Sequence, residues 1–178
     1  MNTKTLRKLE YDKIIQLLAD HAASESGKEH CLNLLPQTDL SVIEQMQEET
    51  AAAFTRIVKK GMPSFGGCVP VEASLKRLDL GASLSAAELL AIGRLLECAG
   101  QAKAYGRHDT VDEIPDCLDS YFQRLEPVSR TASEIRRCIL EADVIADDAS
   151  SNLLKIRRSI QASGGKIHST LNSMVNGS

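Results

Sequence analysis

Apolar residues recur along this chain at spacings of three and four, the period of helices that bury one face. Residues 12–23 place Ile14, Leu17, Leu18 and Ala22 on one stripe, with Tyr11 set to close over the first turn. A short helix is predicted from Ser24 to a point before Pro36, because the residue ahead of a proline avoids the α region. Asp39 reads as the N-cap of a longer helix with the stripe Ile43, Met46, Thr50, Ala53, Phe54 and Ile57. Lys59 and Lys60 suit the negative end of its dipole, and Gly61 stops it.

Pro63, Gly66, Gly67 and Pro70 make residues 62–70 a loop, and a short helix over 71–80 ends at Gly81. Ser85-Ala-Ala-Glu88 is a capping box opening a helix to about Tyr105, with Leu89, Ile92, Leu96 and Ala99 inward. Gly93 and Gly100 cost that helix about 1 kcal/mol each against alanine, which points to close helix approach. Residues 106–115 read as polar connector. A helix over 116–125 is expected to bury Leu118, Tyr121 and Phe122. Thr131-Ala-Ser-Glu134 reads as a second capping box, with Ile135, Cys138 and Ile139 inward. Val144-Ile145-Ala146 offers one brief extended piece.

Residues 149–178 form a helix of different character. Leu153, Ile160, Ile167 and Met174 fall seven apart, as in a coiled-coil seam; Ile156, Ser163 and Thr170 fill the other seam positions. Gly164-Gly165 is expected to kink it. The same segment holds Lys155, Arg157, Arg158 and Lys166 and no acid, a local charge of +4 that leaves −7 on residues 1–148 of the overall −3. The narrow stripe reads either as part of a longer element cut short or as a tail packed on the domain. In the first case, Leu153, Ile156, Ile160, Ile167 and Met174 form a seam through which the chain self-associates or folds back. Lys155, Arg157, Arg158 and Lys166 are candidate phosphate contacts, or else a solvated helix face.

Composition narrows the classes. With 178 residues, 43% apolar, 25% charged and no tryptophan, the chain reads as an all-α, irregular multi-helix bundle with a long C-terminal helix and at most one very short strand near Val144. The two parts are residues 1–148, a helical core, and 149–178, the start of the long helix. No run approaches the ~18 apolar residues that span a bilayer. The charged N-terminus lacks a signal core, so the expected location is cytoplasmic, without membrane partners. Five irregularly spaced cysteines fit reduced thiols there.

The search for chemistry returns little. His21, His30, His108 and His168 are far apart and lack metal-ligand spacing. Gly61 to Cys68 mimics a phosphate loop in its glycines, but Gly67 and Cys68 stand where lysine and a hydroxyl are required. Asp109, Asp112, Glu113, Asp116 and Asp119 read as a solvated acidic face. No catalytic, metal or cofactor-binding residue is assigned.

The order of short segments is more telling. Thr5-Leu6-Arg7-Lys8-Leu9-Glu10-Tyr11-Asp12, Ala22-Ala23-Ser24-Glu25-Ser26-Gly27-Lys28, Leu35-Pro36 and Gly61-Met62-Pro63-Ser64-Phe65-Gly66-Gly67 occur in turn. Leu84-Ser85-Ala86-Ala87-Glu88-Leu89, Glu134-Ile135-Arg136-Arg137 and Asp148-Ala149-Ser150-Ser151-Asn152-Leu153-Leu154-Lys155 follow. This series resembles the beginning of the second bacterial branch of the MutS family, across nearly the whole chain. The resemblance implies a core-and-lever piece of a dimeric DNA-binding ATPase, with ATP and magnesium held elsewhere in the longer protein. Such proteins commonly carry a C-terminal Smr nuclease region. It implies suppression of homologous recombination on branched DNA, or rescue of collided ribosomes, and the remainder of the chain as partner. No catalytic residue carries over, and Gly164-Gly165 departs from the uninterrupted lever expected. The alternative is a free-standing helical adaptor for a protein partner. A reading frame that continues into G-x-x-x-x-G-K-[ST] favours the first, and a stop after Ser178 the second.

Overall fold

The computed structural model describes residues 3–108 and 114–177. In chain order it holds α1 (Thr3–Lys8), α2 (Tyr11–Asp20), α3 (Glu25–Leu32), α4 (Leu40–Lys60), α5 (Glu72–Asp79), α6 (Ala86–Tyr105), α7 (Asp119–Gln123), α8 (Ser129–Cys138), β1 (Ile139–Glu141), β2 (Val144–Ile145) and α9 (Ser151–Asn176). The all-α expectation holds, with one two-stranded antiparallel ribbon that sets Ile139 opposite Ile145 and Glu141 opposite Val144. Helix α6 is the hub, packing on α8, α7 and β1, while α2 packs on α1 and α3.

Local chemistry fixes most boundaries. Ser24 accepts from Gly27 N–H at 3.1 Å, and Asp39 from Ser41 N–H at 2.9 Å. Gly61 ends α4 at φ +79°, a left-handed value that favours glycine. The Ser85–Glu88 capping box forms in both directions, and Glu88 also accepts from Arg77 at 2.6 Å and Ser74 at 3.0 Å, tying α5 to α6. The second capping box does not form. Helix α8 starts earlier, at Ser129 after Pro127, so Thr131 lies inside it and Glu134 pairs with Arg137 at 2.6 Å.

The buried faces differ from the predicted stripes. In α2 the inward residues are Ile15 and Ala19, while Ile14, Leu17 and Leu18 are exposed. Tyr11 is the first residue of that helix and donates to the Leu34 carbonyl at 3.2 Å. In α4 Phe54 and Ile57 face outward, and the buried residue is Arg56. Around α6 the tightest positions are Gly93, Cys98 and Ala102 rather than the larger residues. A Cβ at Gly93 would lie 3.2 Å from Ile135 Cγ2, so the close approach expected there is present. Tyr121 is exposed, whereas Asp119 is buried.

Two further expectations are overturned. Cys68 and Cys98 are joined in a disulfide, because the 61–70 loop lies over the Cys98 face of α6; Cys31, Cys117 and Cys138 are free. Helix α9 runs through Gly164 and Gly165 without a break. Two glycines weaken a helix but leave every backbone N–H in place, unlike proline.

Candidate functional site

Two features stand out once side chains are placed: the exposed length of α9 and a buried ionic knot between α4 and the start of α7.

Helix α9 begins cleanly, with the Ser150 hydroxyl accepting from Leu153 N–H at 3.1 Å. Its base is fastened by two arginines. Arg137 of α8 donates to the carbonyls of Asp148 at 3.0 Å and Ala149 at 3.2 Å while pairing with Glu134. Arg157 donates to the Ile145 carbonyl at 3.0 Å and pairs with Asp147. These bonds fix where α9 leaves the β1–β2 ribbon. Beyond them, every residue from Arg158 to Asn176 is exposed except the partly covered Gly164.

The predicted seam residues separate accordingly. Leu153 is half-buried at the base, whereas Ile156, Ile160, Ile167 and Met174 are exposed. Leu171, 53% exposed, belongs to the same stripe, and its spacing of four from Ile167 was the signal for it. Lys155, Arg158 and Lys166 are exposed on a face about 130° around the helix from the stripe. Arg157 stands apart from these three, being held by Asp147 and a carbonyl. Three exposed cations on one rigid face can meet a phosphate surface without reading sequence.

In the ionic knot, Arg56 is only 5% exposed. Its guanidinium donates to both oxygens of Asp116 at 2.7 Å each and to Asp119 at 2.7 Å, and lies 5.1 Å over the Phe122 ring. His108 Nε2 is 2.9 Å from Asp119, whose carboxylate also accepts the Asp116 N–H at 3.0 Å. Arginine bonding holds the Asp116 carboxyl below its ordinary pKa. Burial pushes Asp119 up, but its bonds to Arg56 and His108 outweigh that and leave it lowered. The solvated acidic face is thus corrected for Asp116 and Asp119, which are structural anions; Asp109, Asp112 and Glu113 lie outside the described residues. Nothing in the sequence marks Arg56, since its partners lie 60 and 63 residues away.

The 61–68 turn does not fit a nucleotide phosphate: it lacks the lysine and hydroxyl, and Cys68 is bonded to Cys98. Among the described residues, no His, Cys, Asp and Glu group is arranged to hold a metal ion, and no helix is long and apolar enough to cross a membrane.

The fold and these surfaces define a helical scaffold with a projecting, two-faced terminal helix. Known proteins place it more narrowly. No family model matches the chain. It is 47% identical over its whole length to the protein named endonuclease MutS2 of Agathobacter rectalis, covering 22% of that protein. The corresponding protein of Lachnoclostridium phytofermentans is 45% identical, over 99% of this chain and 23% of the relative. That of Ruminiclostridium cellulolyticum is 41% identical, over 98% and 22%. The chain is a MutS2-like segment, as its resemblance implied, and spans less than a quarter of the length of these relatives.

Proposed function

We propose that this chain is the non-catalytic core-and-lever segment of a longer MutS2-type protein, with residues 1–148 as core and 149–178 as the start of the lever. The longer protein is a homodimeric, cytoplasmic, DNA-binding ATPase that takes ATP and magnesium outside these residues. It acts on branched DNA to suppress recombination, or on collided ribosomes to rescue them. Its relatives bear the name endonuclease, so a nuclease activity belongs to the parent in this reading.

The observation that carries the proposal is α9. A helix of 26 residues is about 39 Å long and stiff, so a displacement at its fastened base reappears at its tip. Arg137 and Arg157 supply that fastening, and the remaining length has no core of its own to serve. This geometry suits transmission of movement between a motor and a nucleic-acid clamp.

Two measurements test it. The full-length protein is expected to hydrolyse ATP with magnesium, whereas the 178-residue chain alone hydrolyses none; turnover by the chain alone overturns the proposal. In the full-length protein, Arg137→Ala is expected to leave basal ATP turnover intact and reduce its stimulation by branched DNA or collided ribosomes. Unchanged stimulation by both would remove the lever role.

A further inference from the structure

Of the five cysteines, Cys68 and Cys98 are the bonded pair, and neither the ionic knot nor α9 makes use of them. Cys98 lies in α6 and is only 4% exposed, whereas Cys68 is partly exposed near the end of the 61–70 loop. The two ends of that loop are held without the bond. Tyr105 donates to the Gly61 carbonyl at 3.0 Å, and Val71 is buried at the start of α5. Between these anchors, residues 62–70 form neither helix nor strand, and a Cβ built on Gly67 meets nothing within 4 Å. From this arrangement we propose that Cys68–Cys98 is a redox-sensitive latch. Oxidation clamps the 62–70 loop to α6, and reduction by a low-molecular-weight thiol frees it while the rest of the fold stays in place.

The difference in exposure sets the order of the chemistry. A small thiolate reaches Cys68 Sγ more readily than the buried Cys98, so Cys68 is the sulfur attacked first. The S–S bond breaks, and its electron pair leaves on Cys98 Sγ, which takes a proton from water. A second small thiolate then attacks the small-molecule sulfur of the mixed disulfide. Cys68 departs as a thiolate and takes its own proton, and the two small thiols leave joined as their disulfide. One disulfide is reduced and one is formed, so the electrons balance, and the reverse sequence closes the latch. The Cys98 thiol is not stranded when the bond opens, because the Ser64 carbonyl lies 3.7 Å from its sulfur as an acceptor. Val69 and Pro70, next to Cys68, wall a cleft together with Leu90 of α6 and Ile135 of α8, so freeing the loop opens that cleft. The packing of α6 on α8, with Gly93 against Ile135, does not pass through the loop. In a reducing cytoplasm such bonds are usually transient and redox-sensing. Only that compartment rests on the function proposed above.

The purified 178-residue chain tests the latch with glutathione as the probe and without ATP, DNA or ribosomes, so failure of the motor role leaves the outcome untouched. Alkylation and mass spectrometry count the free thiols in buffers from fully oxidised to fully reduced glutathione. Three free thiols are expected at the oxidised end, with Cys68 and Cys98 paired, and all five at the reduced end, interconverting reversibly. Hydrogen exchange then reads the loop. The Cys68 amide, which donates to the Phe65 carbonyl at 3.0 Å, is expected to exchange about tenfold faster in the reduced chain, while amides of α4 and α8 change less than about twofold. Cys68→Ser is expected to show the fast rate in both buffers, with the circular dichroism of the wild type. Cys68 in the Cys98→Ala variant is expected to take up glutathione at least about tenfold faster than Cys98 in Cys68→Ser. A bond that reduced glutathione leaves closed, five free thiols in the oxidised buffer, pairing of Cys31, Cys117 or Cys138 instead, or loop amides indifferent to reduction each overturns the proposal. So does protection lost equally in α4 and α8 on reduction, because the bond would then brace the whole fold.

Discussion

At the scale of single residues, the least exchangeable side chain is Arg56. One guanidinium satisfies Asp116, Asp119 and the Gly106 carbonyl across separate parts of the chain. Removing it strands two carboxylates, one of them buried. Arg56→Met is expected to destabilise the fold by about 3–5 kcal/mol in urea denaturation, far more than a surface ion pair would. Arg56→Lys is a poor rescue because an ammonium cannot reproduce the bidentate fork. The pH dependence has a defined sign. Both carboxyls have folded pKa values below their ordinary range, so their contribution is complete above about pH 4 and is lost as pH falls through the lower folded values. The melting temperature of the wild type is expected to drop steeply below pH 4, and that slope is expected to flatten in Asp119→Asn.

At the scale of elements, glycines report which helices are constrained from outside. A Cβ at Gly106 would lie 2.2 Å from Phe122 Cβ, whereas one at Gly165 meets nothing within 4 Å. Gly106→Ala is therefore expected to cost about 1–3 kcal/mol by forcing α6 and α7 apart, measured by chemical denaturation. Gly165→Ala is expected to raise the helical signal of α9 and add up to about 1 kcal/mol to its local stability, read by amide exchange. The capping signals at Asp39, Ser85 and Gly61 were legible in the sequence because each acts through its own backbone within a few residues. The capping box at Thr131 misled because Pro127, upstream, had already ended the connector and allowed α8 to begin. Strand β1 was hidden for a related reason. Ile139 and Leu140 continue the α8 pattern and become extended only when Ile145 pairs with Ile139 and Val144 with Glu141.

At the scale of the whole molecule, the interior is built from small residues while many large apolar ones remain outside. The buried set is dominated by alanine, cysteine, isoleucine and valine, and Leu17, Phe54, Ile114, Ile160 and Met174 are among the exposed. Exposed apolar residues mark an interaction surface only where they form a contiguous patch. Charge is divided as well, with −7 on residues 1–148 and three exposed cations on α9. Binding of this chain to branched DNA is expected to be weak, with a log–log salt slope no steeper than about −3 in a fluorescence titration. A steeper slope, or affinity that survives high salt, would require contacts beyond Lys155, Arg158 and Lys166. The sequence by itself determined the all-helical class, the long terminal helix with its stripe and cations, and the likeness to MutS2 proteins. Those follow from periodicity, caps and the order of short segments, which are local along the chain. Only the tertiary structure decided that Arg56 is buried, that Ile15 and Ala19 rather than Ile14 and Leu17 face inward, and that Cys68 meets Cys98. A helical period gives the existence of a face, but the partner that covers it, and so its direction, is set by residues distant in sequence.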